Sequence, residues 1–185
     1  MRQGLYMLVV LAAMSCGKGD DKSAILNEGP ATELTGVWAR HCLPSDATYD
    51  VTELVVGNPT ILMNMSFYSD PGCKTLDYTA TYHGSYSIGE PSGEGKALDL
   101  APQAMEFTPV SANYVSYFNF LKLCGYSDWK ANQTRACNDQ AEALFTIFAI
   151  EDNALLTGKT TALKNGTSPS SRPTALDRDE VYYRE

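Results

Sequence analysis

Ile61-Leu62-Met63-Asn64-Met65-Ser66-Phe67 and Tyr78-Thr79-Ala80-Thr81-Tyr82-His83-Gly84-Ser85-Tyr86-Ser87-Ile88 decide the fold of this 185-residue chain. Both runs alternate with a period of two, large apolar or aromatic groups against small or polar ones. Successive side chains of a strand point to opposite faces, so each run reads as a strand with one buried side. Ser69-Asp70-Pro71-Gly72 lies between them and supplies a fixed φ and a permissive glycine, the chemistry of a tight turn. The pair is a long β-hairpin. Its inward set is Ile61, Met63, Met65 and Phe67 on one strand and Tyr78, Tyr82 and Tyr86 on the other.

Working outward, Leu34 to Cys42 reads as a first strand and Tyr49 to Val56 as a second, with Gly57-Asn58-Pro59 turning into the hairpin. Lys96 to Leu100 is a fifth strand, resuming at Ala104 to Thr108 after Pro102. Ser111 to Leu123 is the one helical stretch: Tyr114, Tyr117, Phe118 and Leu121 recur at three- and four-residue spacing. Ser111 is a fitting N-cap and Gly125 a fitting stop. Residues 126–139 read as irregular. Ala143 to Ile150, Ala154 to Thr161 and Glu180 to Arg184 complete eight strands. The expected fold is all-β, an eight-stranded antiparallel up-and-down barrel with a short helical insertion.

The N-terminus speaks to the compartment. Arg2 precedes an unbroken apolar run, Leu5 to Met14, and then Ser15-Cys16. Ten apolar residues are too few to span a bilayer and read as an export signal. The run ending at Cys16 resembles the lipobox of bacterial lipoproteins. That resemblance implies a signal peptide over 1–15, an acylated Cys16 as membrane anchor, and a place in the cell envelope. Gly17, where aspartate would mark retention, implies the outer membrane. Residues 16–33 are rich in Gly, Pro and charge and read as a flexible tether, leaving 34–185 as the barrel domain. Removing residues 1–15 takes away Arg2 and no acid, so the net charge goes from -8 to -9. Such a chain offers nucleic acid no basic surface.

Four further cysteines, Cys42, Cys73, Cys124 and Cys137, imply two disulfides in an exported chain. If each strand is antiparallel to the next, Cys42 and Cys73 fall on one rim, and the segment carrying Cys124 and Cys137 caps the same rim. Bridged Cα atoms must lie about 4.4–6.8 Å apart, which favours Cys42–Cys73 with Cys124–Cys137. The same parity sets the last strand beside the first, so the sheet can close and lose its edges.

Gly36-x-Trp38 entering the first strand, long loops at one rim, and Arg184 near the end of the last strand together resemble the lipocalins and their bacterial relatives. The resemblance implies that Trp38 packs at the closed end against Arg184 as a cation–π pair. It also implies a small apolar ligand, or a lipid, taken at the loop-rich rim. No helix follows the last strand, and 109–142 is a long insertion, both departures from the lipocalin pattern.

Two readings of the interior stay open. Met63, Met65, Phe67, Tyr78, Tyr82 and Tyr86 could line an adaptable apolar pocket with hydroxyls to orient a ligand, or simply fill the lumen. His41 and His83 are the only histidines, and His83 lies on the face opposite the tyrosines. His83 is thus expected to face solvent rather than a metal; no nucleophile elbow is present, and no catalytic role or cofactor is expected. Tyr126, Trp129 and the aromatic face of 114–121 suit a protein or glycan partner, or a lid pinned by Cys124–Cys137. The rival to a ligand carrier is therefore an interaction module with a filled barrel: an adhesin, an envelope-assembly factor or an enzyme inhibitor.

Overall fold

The structure is a computed structural model and describes residues 20–137 and 142–185; Cys16 and the signal segment lie outside the described residues. Nine strands form one antiparallel sheet: β1 (Gly36–Ser45), β2 (Thr48–Val56), β3 (Thr60–Tyr68), β4 (Leu76–Ser92), β5 (Gly95–Pro109), β6 (Arg135–Ala136), β7 (Leu144–Glu151), β8 (Ala154–Gly158) and β9 (Leu176–Arg184). Eight of them, all but β6, close into a barrel, with β4 on β5, β5 on β7 and β9 back on β1. The two-residue β6 adds to the far half of β5, at Glu106 and Phe107. Closure runs through Trp38 opposite Arg184, Ala39 opposite Tyr183 and Arg40 opposite Tyr182.

The hairpin pairs in the expected phase, Met63 with Tyr82 and Phe67 with Tyr78. Inward residues of the eight barrel strands meet in one core that includes Trp38, Leu54, Val56, Tyr82, Leu98 and Phe148. Strand β5 does not break at Pro102. A register shift near Gly84 sets Pro102 opposite that glycine, and such a bulge tolerates a residue without an N–H donor. Glycine is needed at 84, because a Cβ there would sit 2.6 Å from the Ala101 carbonyl oxygen and 2.7 Å from the Tyr82 ring. Other ends move too. β1 runs on to Ser45 through a bulge after Arg40, and β9 starts at Leu176 rather than Glu180.

The segment before the barrel differs from a bare tether. Helix α1 (Asp20–Leu26) lies on the outer face of β2 and β3, where Ile25 packs with Val55 and Leu62. Lys22 pairs with Glu53 at 2.6 Å, and the Thr60 hydroxyl donates to Glu28. Two apolar residues, Ile25 and Leu26, are enough because the sheet offers its own apolar patch to receive them.

Helix α2 (Ala112–Leu121) sits on the rim where β5 ends. Both Val110 N and Ser111 N donate to the Asp77 carbonyl at the start of β4, and the Ser111 hydroxyl caps the helix by accepting from Tyr114 N. The helix ends sooner than its apolar spacing suggests, at Lys122 with φ 50°. Both disulfides are on this rim: Cys42–Cys73, Cα atoms 5.9 Å apart, and Cys124–Cys137, 5.2 Å apart.

Candidate functional site: an apolar cavity in the barrel

The opposite end of the barrel is shut. Trp38 is fully buried, its indole N–H donates to the Leu34 carbonyl at 2.8 Å, and the Arg184 guanidinium lies 4.3 Å from its ring centre. Gly36 is favoured here by its φ of 144°, a conformation that L side chains rarely adopt, and it lets that guanidinium approach closely. The Tyr86 hydroxyl donates to the Gly57 carbonyl and shares a hydrogen bond with Thr32, tying the preceding segment across the floor.

Above this floor the lumen is only partly filled. A cavity of about 200 Å³ runs from Leu34 up to the disulfide-bearing rim, walled by Leu54, Ile61, Met63, Leu100 and Leu155. Thr157, Thr160, Asp177 and Glu180 stand at its mouth. This volume is of the order of the ~150 Å³ dry apolar cavity known to take up benzene, and below the ~300–1,000 Å³ of ordinary ligand pockets. It suits one small apolar molecule or the end of one alkyl chain.

The lumen also holds a buried charge cluster. Arg40 pairs with Asp50 and Glu180, reaches Thr52 at 3.3 Å, and lies 5.6 Å from the Tyr182 ring centre. Burial by itself lowers the pKa of Arg40, but Tyr182, Asp50 and Glu180 outweigh it and hold the guanidinium charged. Burial also pushes the pKa of the Tyr182 hydroxyl up, against the pull of Arg40, so it stays neutral. With Glu180 at the mouth and Arg40 behind it, a ligand passes a polar collar before it meets the apolar walls.

Of the six residues expected to contact a ligand, Met63 alone lines this cavity. Met65 borders a groove of about 420 Å³ on the outer face of the sheet, with Asn64, Thr81, His83 and Glu106. Phe67 and Tyr78 stack at 4.3 Å beneath α2, where Tyr114 and Phe118 complete an aromatic cluster. Burial, reinforced by Tyr114 and Asp50, pushes the Tyr78 hydroxyl far above its ordinary value. Tyr82 is buried against Gly84, its hydroxyl without a hydrogen-bond partner among the described residues, and Tyr86 serves the floor. For Phe67 and Tyr78 the reason is reach: the far halves of β3, β4 and β5 extend past Leu144, where β7 begins, so these two rings meet α2 rather than the lumen.

That cluster is a lid over the β3–β5 side of the mouth. Trp129 is buried against Phe118, its backbone N–H donates to the Asn119 side chain, and Arg135 lies over both Trp129 and Tyr126. The Cys124–Cys137 bridge ties the lid to the end of β6. Cavity walls from β5, β7 and β8, namely Leu98, Leu100, Leu144 and Leu155, escape a reading centred on the hairpin. The runs holding Leu144 and Leu155 carry no clear two-residue period, although Leu98-Asp99-Leu100 alternates. Among the described residues no group of three or more His, Cys, Asp or Glu is placed to hold a metal ion. Compared with known proteins, the chain matches no family model and no curated protein.

Proposed function

We propose that this chain is a lipid-anchored envelope lipoprotein of a bacterial outer membrane, held through an acylated Cys16, whose barrel takes up a small apolar ligand at the disulfide-bearing rim. The observation that carries the reading is the apolar cavity of about 200 Å³, based at Leu34, which packs with Trp38 in the core, and reaching Glu180 toward the rim. A barrel serving only as a scaffold gains by filling such a space, because an empty apolar void forfeits dispersion contacts on every side. Two disulfides fit an oxidising compartment outside the cytoplasm. The ligand is expected to be bound and released without a chemical step.

Native mass spectrometry of the full chain, extracted from membranes in mild detergent, tests this. The expected result is an added mass lost on collisional activation, and absent from Met63→Trp, which fills the lumen. A wild-type chain that carries no added mass and gains none on incubation with 1-octanol overturns the reading. The rival, an interaction module working through its rim loops, draws support from the lid, a packed aromatic cluster on that same rim.

A further inference from the structure

Among the described residues six large apolar side chains stand exposed: Tyr117, Phe120, Leu121, Tyr126, Leu163 and Tyr183. All but Tyr183 belong to the disulfide-bearing rim, four of them to α2 and the lid, and Leu163 to the loop between β8 and β9. Tyr117, Phe120 and Leu121 are the exposed large side chains of α2, and Phe120, across the helix from the buried Phe118, is 81% exposed. Lys122, directly after Leu121, and Lys130, directly after Trp129, are exposed and make no ion pair among the described residues, though Lys130 lies near Asp128. Aromatic rings beside lysines are the composition of a surface at home among lipid headgroups.

The direction of the chain singles out the same rim. Helix α1 runs alongside β2 toward the closed end: Lys22 is beside Glu53, Ile25 beside Val55, and Glu28 at Thr60. Its N-terminal end therefore points toward the disulfide-bearing rim. Cys16 precedes Asp20 by four residues, a reach of up to ~14 Å, and Glu53 lies about 13 Å of strand from Tyr49 at that rim. An anchor on Cys16 can reach the plane of the rim without the chain doubling back.

We infer that the exposed face of α2, centred on Phe120, docks on the lipid leaflet that holds the anchor, so that the mouth of the cavity faces the membrane. This rests on the reading that Cys16 is acylated. Docking of this kind adds a second, weaker membrane contact to the lipid chains and fixes the orientation they leave free.

The test places the photo-crosslinker p-benzoylphenylalanine at position 120, and separately at 183, in the full chain reconstituted in phosphatidylethanolamine–phosphatidylglycerol vesicles. Peptide mass spectrometry reads both the crosslinks and the N-terminal peptide. The expected result is an acylated Cys16, lipid adducts at position 120 and none at 183. An acylated Cys16 with no lipid adduct at 120, or with crosslinks there to a second copy of the chain, overturns the docking face alone. An unmodified Cys16 overturns the anchor and this inference with it.

Discussion

Arg40 shows how much one side chain inside a barrel can matter. Its side chain is 9% exposed and that of Asp50 is 6%, so neither charge is well hydrated and each depends on the other. Removing one partner of such a pair costs about 3–5 kcal/mol, because the other is left buried and uncompensated. Arg40→Met should lose stability of that size in urea denaturation, and adding Asp50→Leu should restore most of it. A loss below about 1 kcal/mol would mean the charges are hydrated after all. Asp70 makes the opposite kind of prediction, on the surface. Its carboxylate accepts backbone N–H bonds from Thr75, Lys74 and Gly72, the Thr75 bond counting most, and this holds its pKa below the ordinary range. A carboxyl with its folded pKa lowered contributes stability above its unfolded value, near 3.9, and loses it as pH falls through the folded value. The Thr75 amide resonance should therefore titrate with a midpoint below that value, and lose the titration in Asp70→Asn. A midpoint at or above it would contradict the turn. Strand phase makes some of these residues legible in advance. Arg40 is two positions from Trp38, and Glu180 two from Tyr182, so both share an inward face. Charge hides this, because a buried arginine shows only once its partners from two other strands are in place.

At the scale of elements, the two disulfides act on different parts. Cys42–Cys73 spans 31 residues and Cys124–Cys137 spans 13. Loop-closure entropy alone assigns them about 4 and about 3 kcal/mol. Replacing Cys124 and Cys137 by serine should lower stability by about the smaller amount and reduce the near-ultraviolet circular dichroism of the aromatic lid, leaving the far-ultraviolet strand signal in place. A lid signal unchanged without the bridge would show that Phe118 and Trp129 hold it unaided. The long strands, the hairpin phase, the Ser111 cap and both bridges are readable from sequence, since alternation, turn residues and parity all agree. Helix α1 is not. Its seven residues hold a single apolar pair, Ile25 and Leu26, and only the waiting patch of Val55 and Leu62 makes them a helix. Nor is the orientation of α2 readable. Tyr117 and Leu121 follow the helical spacing of a buried stripe, yet stand exposed because the rim beneath offers room for Phe118 and Tyr114.

The whole molecule is a barrel sealed at one end and selectively filled at the other. Trp38 and Arg184 close the floor, the lid occupies the β3–β5 side of the mouth, and the β7–β9 side keeps the open lumen. Trp38→Ala should cost about 3–5 kcal/mol, the range for deleting a buried large aromatic, read from the shift in denaturation midpoint. A much smaller cost would mean the floor is not packed. Barrel closure follows from strand parity. The placement of the cavity does not, because it depends on which long strands overhang and which short ones stop, and Gly158 ending β8 opposite Leu176 sets that. The most direct test of the account is methyl NMR of the protein titrated with 1-octanol. Saturable shifts are predicted at Leu54, Ile61, Met63, Leu100 and Leu155, with Leu62 and Leu156 on the outer side of the sheet unmoved. Shifts confined to α2 and the outer face, or none that saturate, would contradict a ligand-binding lumen.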